Sequence, residues 1–476
     1  MKAKQQKIYQ SGFRVPRRHF LTQMASLSMA TALPPLSWAN QAPKTLTADL
    51  SRVTMGEAGE LDVWAYNQSS PGPELRVKQG DFLDLKLENR LDQPTSIHWH
   101  GIRIVNSMDG VSGFTQPAVA NGEVFNYRFQ IPDAGTYWYH SHANSAEQVG
   151  RGLYGLLIVE EADAYPVDRE LSLVIDDWRL DQIGEIQNDF GNLHDVSHGG
   201  RLGNWVTVNS QSQPDLSVTA GERIRLRLLN AANARIFTLK IADFAPWIIA
   251  LDGQPVAPSQ LTDSKITLAP GQRADLVVDI PMVATESAAI TYIHSRGVLR
   301  IAQLITNTTV PLVRKKDTPP LLPNNPLPTT LDLKHGINIK VEMSGGAMGN
   351  MRSALYAGSH LRIRDLVGQG MAWSLNGVAG MTDTPLFRVQ HGRTVTLNLV
   401  NDNSWPHAMH LHGHHFRVIE ANGEATVDAP WRDTTLMYPM DQVRIAFVAD
   451  NPGKWLLHCH MLEHSSAGMM TWFEVI

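Results

Sequence analysis

Three stretches of the chain carry one pattern, a turn glycine followed by strict alternation of apolar and polar positions. Gly80 precedes Leu83, Leu85 and Leu87, with Asp84 and Lys86 between them. Gly221 precedes Ile224, Leu226 and Leu228, separated by Arg225 and Arg227; Gly392 precedes Val395, Leu397 and Leu399, separated by Thr396 and Asn398. A period of two marks a strand with one buried face, so each stretch predicts a half-buried strand. Each then reaches an asparagine (Asn89, Asn230, Asn401) and enters another strand-like run. The glycines lie 141 and 171 residues apart, which is domain-sized and too long for a solenoid repeat. Long helical periodicity is absent and Pro and Gly punctuate often. The pattern therefore predicts three copies of one all-β unit, built as sandwiches or barrels.

Local composition sets the boundaries. The first unit closes near 156–160 and the second near 301–305. Residues 311–328 contain six prolines and the run Arg314-Lys315-Lys316, which predicts a stiff extended linker. Residues 1–39 carry six bases and no acid: Arg17-Arg18-His19-Phe20-Leu21, a mildly apolar stretch from Met24 to Leu36, then Ser37-Trp38-Ala39. This is the layout of an export signal, and the paired arginines resemble the twin-arginine type. The expected division is a signal over 1–39, all-β units over 40–163 and 164–310, a linker over 311–328, and a third unit over 329–476.

Composition narrows the class. With 43% hydrophobic and 18% charged residues, the chain is that of a folded globular protein rather than a disordered one. Without the signal the balance is −11, from 35 bases and 46 acids, which argues against a nucleic-acid-binding surface. No other segment has the run of about 18 apolar residues that a membrane span needs. The expected location is the periplasm. That compartment favours disulfides, yet Cys459 is the only cysteine.

Histidine carries the chemistry. Nineteen histidines in 476 residues would by chance give about one His-x-His pair. The chain has five, at 98/100, 140/142, 410/412, 412/414 and 458/460, all in the first and last units. In a strand, residues i and i+2 share a face, so each pair aims two imidazoles at one place, as metal sites require. Cys459 lies between His458 and His460 and must face the other way. His464 and Met469 follow it closely, and His407 arrives from the preceding His-rich strand. Two imidazoles, a thiolate and a distant thioether are the ligands of a blue-copper electron-transfer site.

Four motifs resemble those of the multicopper oxidases: His98-Trp99-His100-Gly101, His140-Ser141-His142, His407-Ala408-Met409-His410-Leu411-His412-Gly413, and His458-Cys459-His460-Met461-Leu462-Glu463-His464 with Met469. The resemblance implies cupredoxin-like Greek-key domains and four copper ions. His407, Cys459, His464 and the axial Met469 match the type 1 ion. His98 and His410 match the type 2 ion, and His100, His140, His142, His412, His458 and His460 the type 3 pair. The middle unit, whose equivalent strand reads Phe237-Thr238-Leu239, would be a spacer.

The implied activity is laccase-like. One-electron donors (phenols, aromatic amines or low-valent metal ions) would reduce the type 1 site through the edge of His464 or His407. Electrons would pass along Cys459 to His458 and His460, where dioxygen becomes water. Asp109 matches an acidic family position near the trinuclear site, while Ser465 stands where some relatives carry a second acid. Met343, Met348 and Met351 hint at a place where cuprous ions are received, although the long Met/His-rich insertion of the periplasmic cuprous oxidases is missing. His414 and His415 match no ligand position and are expected to pack behind the ligands; His194, His198, His294, His335, His360 and His391 are expected to be isolated. Rival readings are a cuprous oxidase of copper tolerance, a copper-free exported scaffold or division protein, and a copper nitrite reductase.

Overall fold

The first alternating stretch becomes the strand Phe82–Asn89, with Leu83, Leu85 and Leu87 buried and Phe82 and Asp84 exposed. The other two alternate in sequence but not in exposure. Arg223–Asn230 is buried throughout, and Thr394–Asn401 nearly so. Arg225 and Arg227 can be buried because they are paired: Asp275 accepts from both at 2.6 and 3.1 Å, and Glu161 and Glu170 take the remaining guanidinium hydrogens. The first unit supplies part of this layer, Thr136 Oγ1 accepting from Arg227 and donating to Asp275. The polar face thus meets a neighbouring unit rather than water.

The computed structural model describes residues 45–242, 244–282, 288–307 and 317–476. The proposed signal over 1–39 and the start of the linker lie outside them. Within 317–328 the linker is extended. Its Leu322 packs on Ile249 and Val277, and its Asn325 bonds the backbone of Ala134 in both directions at 2.8 Å.

Each unit is a pair of sheets with one plan. The three alternating strands sit centrally, each with a parallel neighbour and an antiparallel one: Thr45–Thr54 and Val124–Gln130, Arg169–Trp178 and Arg273–Asp279, Ile337–Gly345 and Gln442–Val448. In the facing sheets, Ile97–His100, Phe237–Ile241 and His407–Leu411 hold equivalent places. The repeated asparagines explain the passage from one sheet to the other. Each is fully buried and donates its amide to two backbone carbonyls: Gln93 and Val119 for Asn89, Arg235 and Leu268 for Asn230, Trp405 and Tyr438 for Asn401. The first and third units share one continuous apolar core, while the middle unit has its own. That union places the His-rich strands of the ends of the chain face to face.

Candidate metal centre

Four strands supply the histidines. Ile97–His100 pairs antiparallel with Gly135–Ser141, setting His98 opposite His140. His407–Leu411 pairs antiparallel with Gly453–Cys459, setting His410 opposite His458 and Met409 opposite Cys459. The alternation works as expected. Trp99 turns into the core against Tyr127 and Phe129, while His98 and His100 turn to the seam between the units. There the rings interleave, His98 stacking on His412 at 3.9 Å and His100 on His410 at 3.7 Å. Potential ligand atoms converge in the sets His98–His100–His410, His100–His140–His460 and His142–His412–His458.

Hydrogen bonds fix which nitrogen is bare in six of the eight rings. His98 Nδ1 donates to the Asp109 carbonyl at 2.8 Å, His410 Nδ1 to that of Asp433 at 2.9 Å, His140 Nδ1 to that of Ser141 at 3.0 Å and His458 Nδ1 to that of Cys459 at 2.9 Å. A carbonyl only accepts, so the opposite nitrogens carry lone pairs. The Asp109 carboxylate takes the Nδ1 hydrogen of His412 at 3.0 Å, and Asp433 the Nε2 hydrogen of His100 at 3.1 Å. His98 Nε2, His100 Nδ1 and His410 Nε2 are left buried with no protein partner. His412 Nε2 and His458 Nε2, both bare, stand 3.0 Å apart. Burial holds the ring of His458 down to about 3, and those of His140, His142, His412 and His460 well below the usual range. Neutral imidazoles with lone pairs converging in a dry space are what a metal ion satisfies.

A second site lies on the other side of Cys459. His407 Nε2 donates to Asn403 Oδ1 at 3.0 Å and His464 Nε2 to the His198 carbonyl at 2.7 Å. Their bare Nδ1 atoms face each other at 3.1 Å and lie 3.7 and 3.8 Å from Cys459 Sγ. Burial raises the thiol to about 12, so thiolate there depends on a bound cation. Met469 is fully buried, its N–H donating to the His464 carbonyl and its carbonyl accepting from Cys459 N–H. Met470 instead pairs with His458 and lines a cavity of about 730 Å³. That cavity runs from Asp383 and Lys454 to His142 and His458, past Ser465.

Asp109, expected near the cluster, is fully buried between His98 and His412. Gly110 beside it has φ +84, and a Cβ there would meet the Ile97 carbonyl oxygen at 1.7 Å, so only glycine lets Asp109 come this close. His414 packs among Phe447, Trp455 and Phe473, and His415 lies 3.9 Å from Asp433, both behind the ligands as expected.

The structure adds to three expectations. His407 and His464 are fully buried, with Trp373 packed on both rings and the His198 carbonyl accepting from His464 Nε2. The middle unit is more than a spacer, since it supplies His198 at one site and Gly271 against His100 and His460 at the other. Of the three methionines, Met343 belongs to the buried core, Met351 packs on a small apolar cluster, and Met348 is exposed. His194 and His198, expected to be isolated, stack instead, with ring centroids 4.2 Å apart.

Sequence reasoning also missed Asp433, Arg273, Asn403 and Trp373. None sits in a repeated motif. Asn403 alone had a local cue, four residues before His407.

Models of the multicopper oxidase family match residues 49–164, 169–303 and 356–476. The chain is 31% identical to multicopper oxidase MmcO of Mycobacterium tuberculosis, over 91% of this chain and 86% of that one. It belongs to the multicopper oxidase family. A solved multicopper oxidase from Pseudomonas thermotolerans superposes with a TM-score of 0.79 at 32% identity, covering 91% of this chain and 98% of that one. A copper resistance protein A homologue of Pseudomonas syringae pv. tomato is 25% identical over 96% of this chain and 98% of its own. This multicopper oxidase is all-β with cupredoxin-like domains, and it is a copper-dependent oxidoreductase. Among the described residues no helix is long and apolar enough to cross a membrane.

Proposed function

We propose that the chain is an exported, periplasmic, laccase-like oxidase that holds four copper ions. It couples one-electron oxidation of phenols, aromatic amines or low-valent metal ions to reduction of dioxygen to water. The observation that carries this reading is Cys459, whose sulfur joins one set of bare ligand atoms while its neighbours His458 and His460 join the opposite set. His407, Cys459, His464 and Met469 would hold the type 1 ion, and His98 and His410 the type 2 ion. His100, His140 and His460 would hold one type 3 ion, and His142, His412 and His458 the other. Copper bound there supplies one-electron redox chemistry and binds dioxygen.

The protein's own residues do the rest. The Cys459 backbone ties the two sites together through the shortest covalent path. Asp109 and Asp433 orient imidazoles and keep carboxylate oxygens beside the cluster. The cavity reaching His142 and His458 supports a route for dioxygen and water, with the Ser465 hydroxyl in its wall where some relatives have an acid. Burial keeps water from the Cys459 side.

A copper-tolerance role as a cuprous oxidase is the second reading, favoured by the copper resistance protein A relative and by the exposed thioether of Met348. Export rests on the twin-arginine pattern, which would make the twin-arginine machinery a transient partner. Copper-loaded protein is expected to bind about four ions per chain, to be blue, and to consume oxygen with a phenol. Cys459→Ser should abolish colour and oxygen uptake and keep the fold. A blue variant, or a wild-type chain empty after copper loading, overturns the reading.

A further inference from the structure

The middle domain, the linker and the last domain meet around a cavity of about 470 Å³, distinct from the one that reaches His142 and His458. Its walls are mostly apolar: Ile248, Leu251, Pro255 and Val256 come from the middle domain, Leu327 from the linker and Pro430 from the last domain. That size and lining are those of a small-molecule site, in which a few polar groups fix the ligand. Arg417 is the one base in the lining, and Trp431 stands beside it. The two are cross-strand partners, and the guanidinium lies over the indole with its carbon 4.7 Å from the ring centroid.

This guanidinium is unpaired. Its strand, Phe416–Ala421, runs between Trp431–Arg432 and Gln442–Val448. Arg432 and Arg444 on those strands each have an acid at 2.6 Å, Asp252 and Glu420 respectively. Arg417 has none among the described residues, and its Nε is buried without a hydrogen-bond partner. Asp428, the one acid in the lining, is exposed and does not pair with it. Stacking on Trp431 fixes the plane of the guanidinium and leaves its hydrogens pointing outward in that plane. A carboxylate meets two such hydrogens at once, and a flat ring behind it suits the apolar walls next to the indole.

We propose that this cavity is a binding site for an aromatic carboxylate, held by Arg417 at its charged end and by Trp431 and the apolar walls along its ring. No proposed copper ligand lines it, so the site is separate from the oxidase chemistry. Charge and ring are both needed. A lone guanidinium at a wet cavity takes a small anion only weakly, and the walls alone give a ligand no orientation.

The probe is benzoate, which carries no oxidisable phenol, titrated calorimetrically into copper-loaded enzyme. Benzamide serves as its neutral counterpart and acetate as the anion without a ring. One benzoate per chain should bind, about ten-fold or more tightly than benzamide and about ten-fold or more tightly than acetate. Arg417→Gln should cancel the preference for acid over amide. Because Arg417 holds no acid of the protein, the urea midpoint of that variant should stay near that of the wild type. No binding at millimolar benzoate, equal affinity for acid and amide, or acetate binding as well as benzoate overturns the site. A folded variant that keeps the preference also overturns it, since the acid then sits elsewhere, on copper for instance. The wild-type comparisons decide the matter even if the variant does not fold. Nothing is turned over in the titration, so the outcome is independent of the oxidase reading.

Discussion

Arg273 of the middle domain grips Asp433 of the last domain with two hydrogen bonds, 2.9 and 2.6 Å long, and neither side chain touches solvent. Asp433 also accepts from His100 Nε2 and, through its carbonyl, from His410 Nδ1. One ion pair therefore joins three domains at the cluster.

Asp433→Leu should be severely destabilising. It strands the Arg273 guanidinium in a dry site, and breaking a buried pair from one side costs about 3–5 kcal/mol. Denaturant unfolding measures the loss. A variant within about 1 kcal/mol of wild type would mean that the pair is not the clamp described.

Asn403→Ala removes the acceptor that holds His407 in one tautomer. Copper affinity at the Cys459 site should fall about 10- to 100-fold, while the histidine cluster keeps its ions. Copper counting together with the visible band separates the two sites. Equal loss from both would show a general folding defect instead.

Gly271→Ala should disturb the cluster from the middle domain. The glycine has φ +82, and a Cβ would stand 3.0 Å from the His100 ring and 3.1 Å from that of His460. The conformational cost alone is roughly 1–2 kcal/mol, and the displaced rings should lower copper content. Full copper loading with wild-type stability would refute the close contact.

Stability should fall with rising pH at one place where the first and middle domains meet. Burial, with Asp177 adding to it, pushes the Asp176 carboxyl up to about 7 from an ordinary 3.8, and Tyr154 from the first domain donates to it at 2.5 Å. Between about pH 4 and 7 the folded chain holds a proton there that the unfolded chain has released, so this stabilisation is full below the window and lost above it. The effect is on the order of 4 kcal/mol at most, at about 1.4 kcal/mol per pKa unit. Asp176→Asn should flatten that part of the profile and be the more stable protein at neutral pH. Urea midpoints across the window check it, and identical profiles would exclude Asp176 as the source.

Local rules were enough to read the strands and the pairing of ligands. Period-two alternation located the three central strands, and His-x-His placed eight imidazoles on shared faces because both depend only on backbone geometry. The burial of Arg225 and Arg227 could not be read that way. Alternation says that a face is polar, not whether water or a neighbouring domain covers it, and Glu161, Glu170, Asp275 and Thr136 are distant in sequence.

The sequence by itself determined the all-β repeat, the shared aim of each His-x-His pair and the opposed faces of Cys459 and its neighbours, since each follows from spacing along a strand, while the copper ligand set came with the resemblance to the multicopper oxidases. Tertiary structure alone decided that His407 and His464 are buried, that the middle domain reaches both sites through His198 and Gly271, and that His194 meets His198. These depend on which surfaces dock. Docking is set by shape and by the partnering of buried charge across domains, which no local pattern encodes.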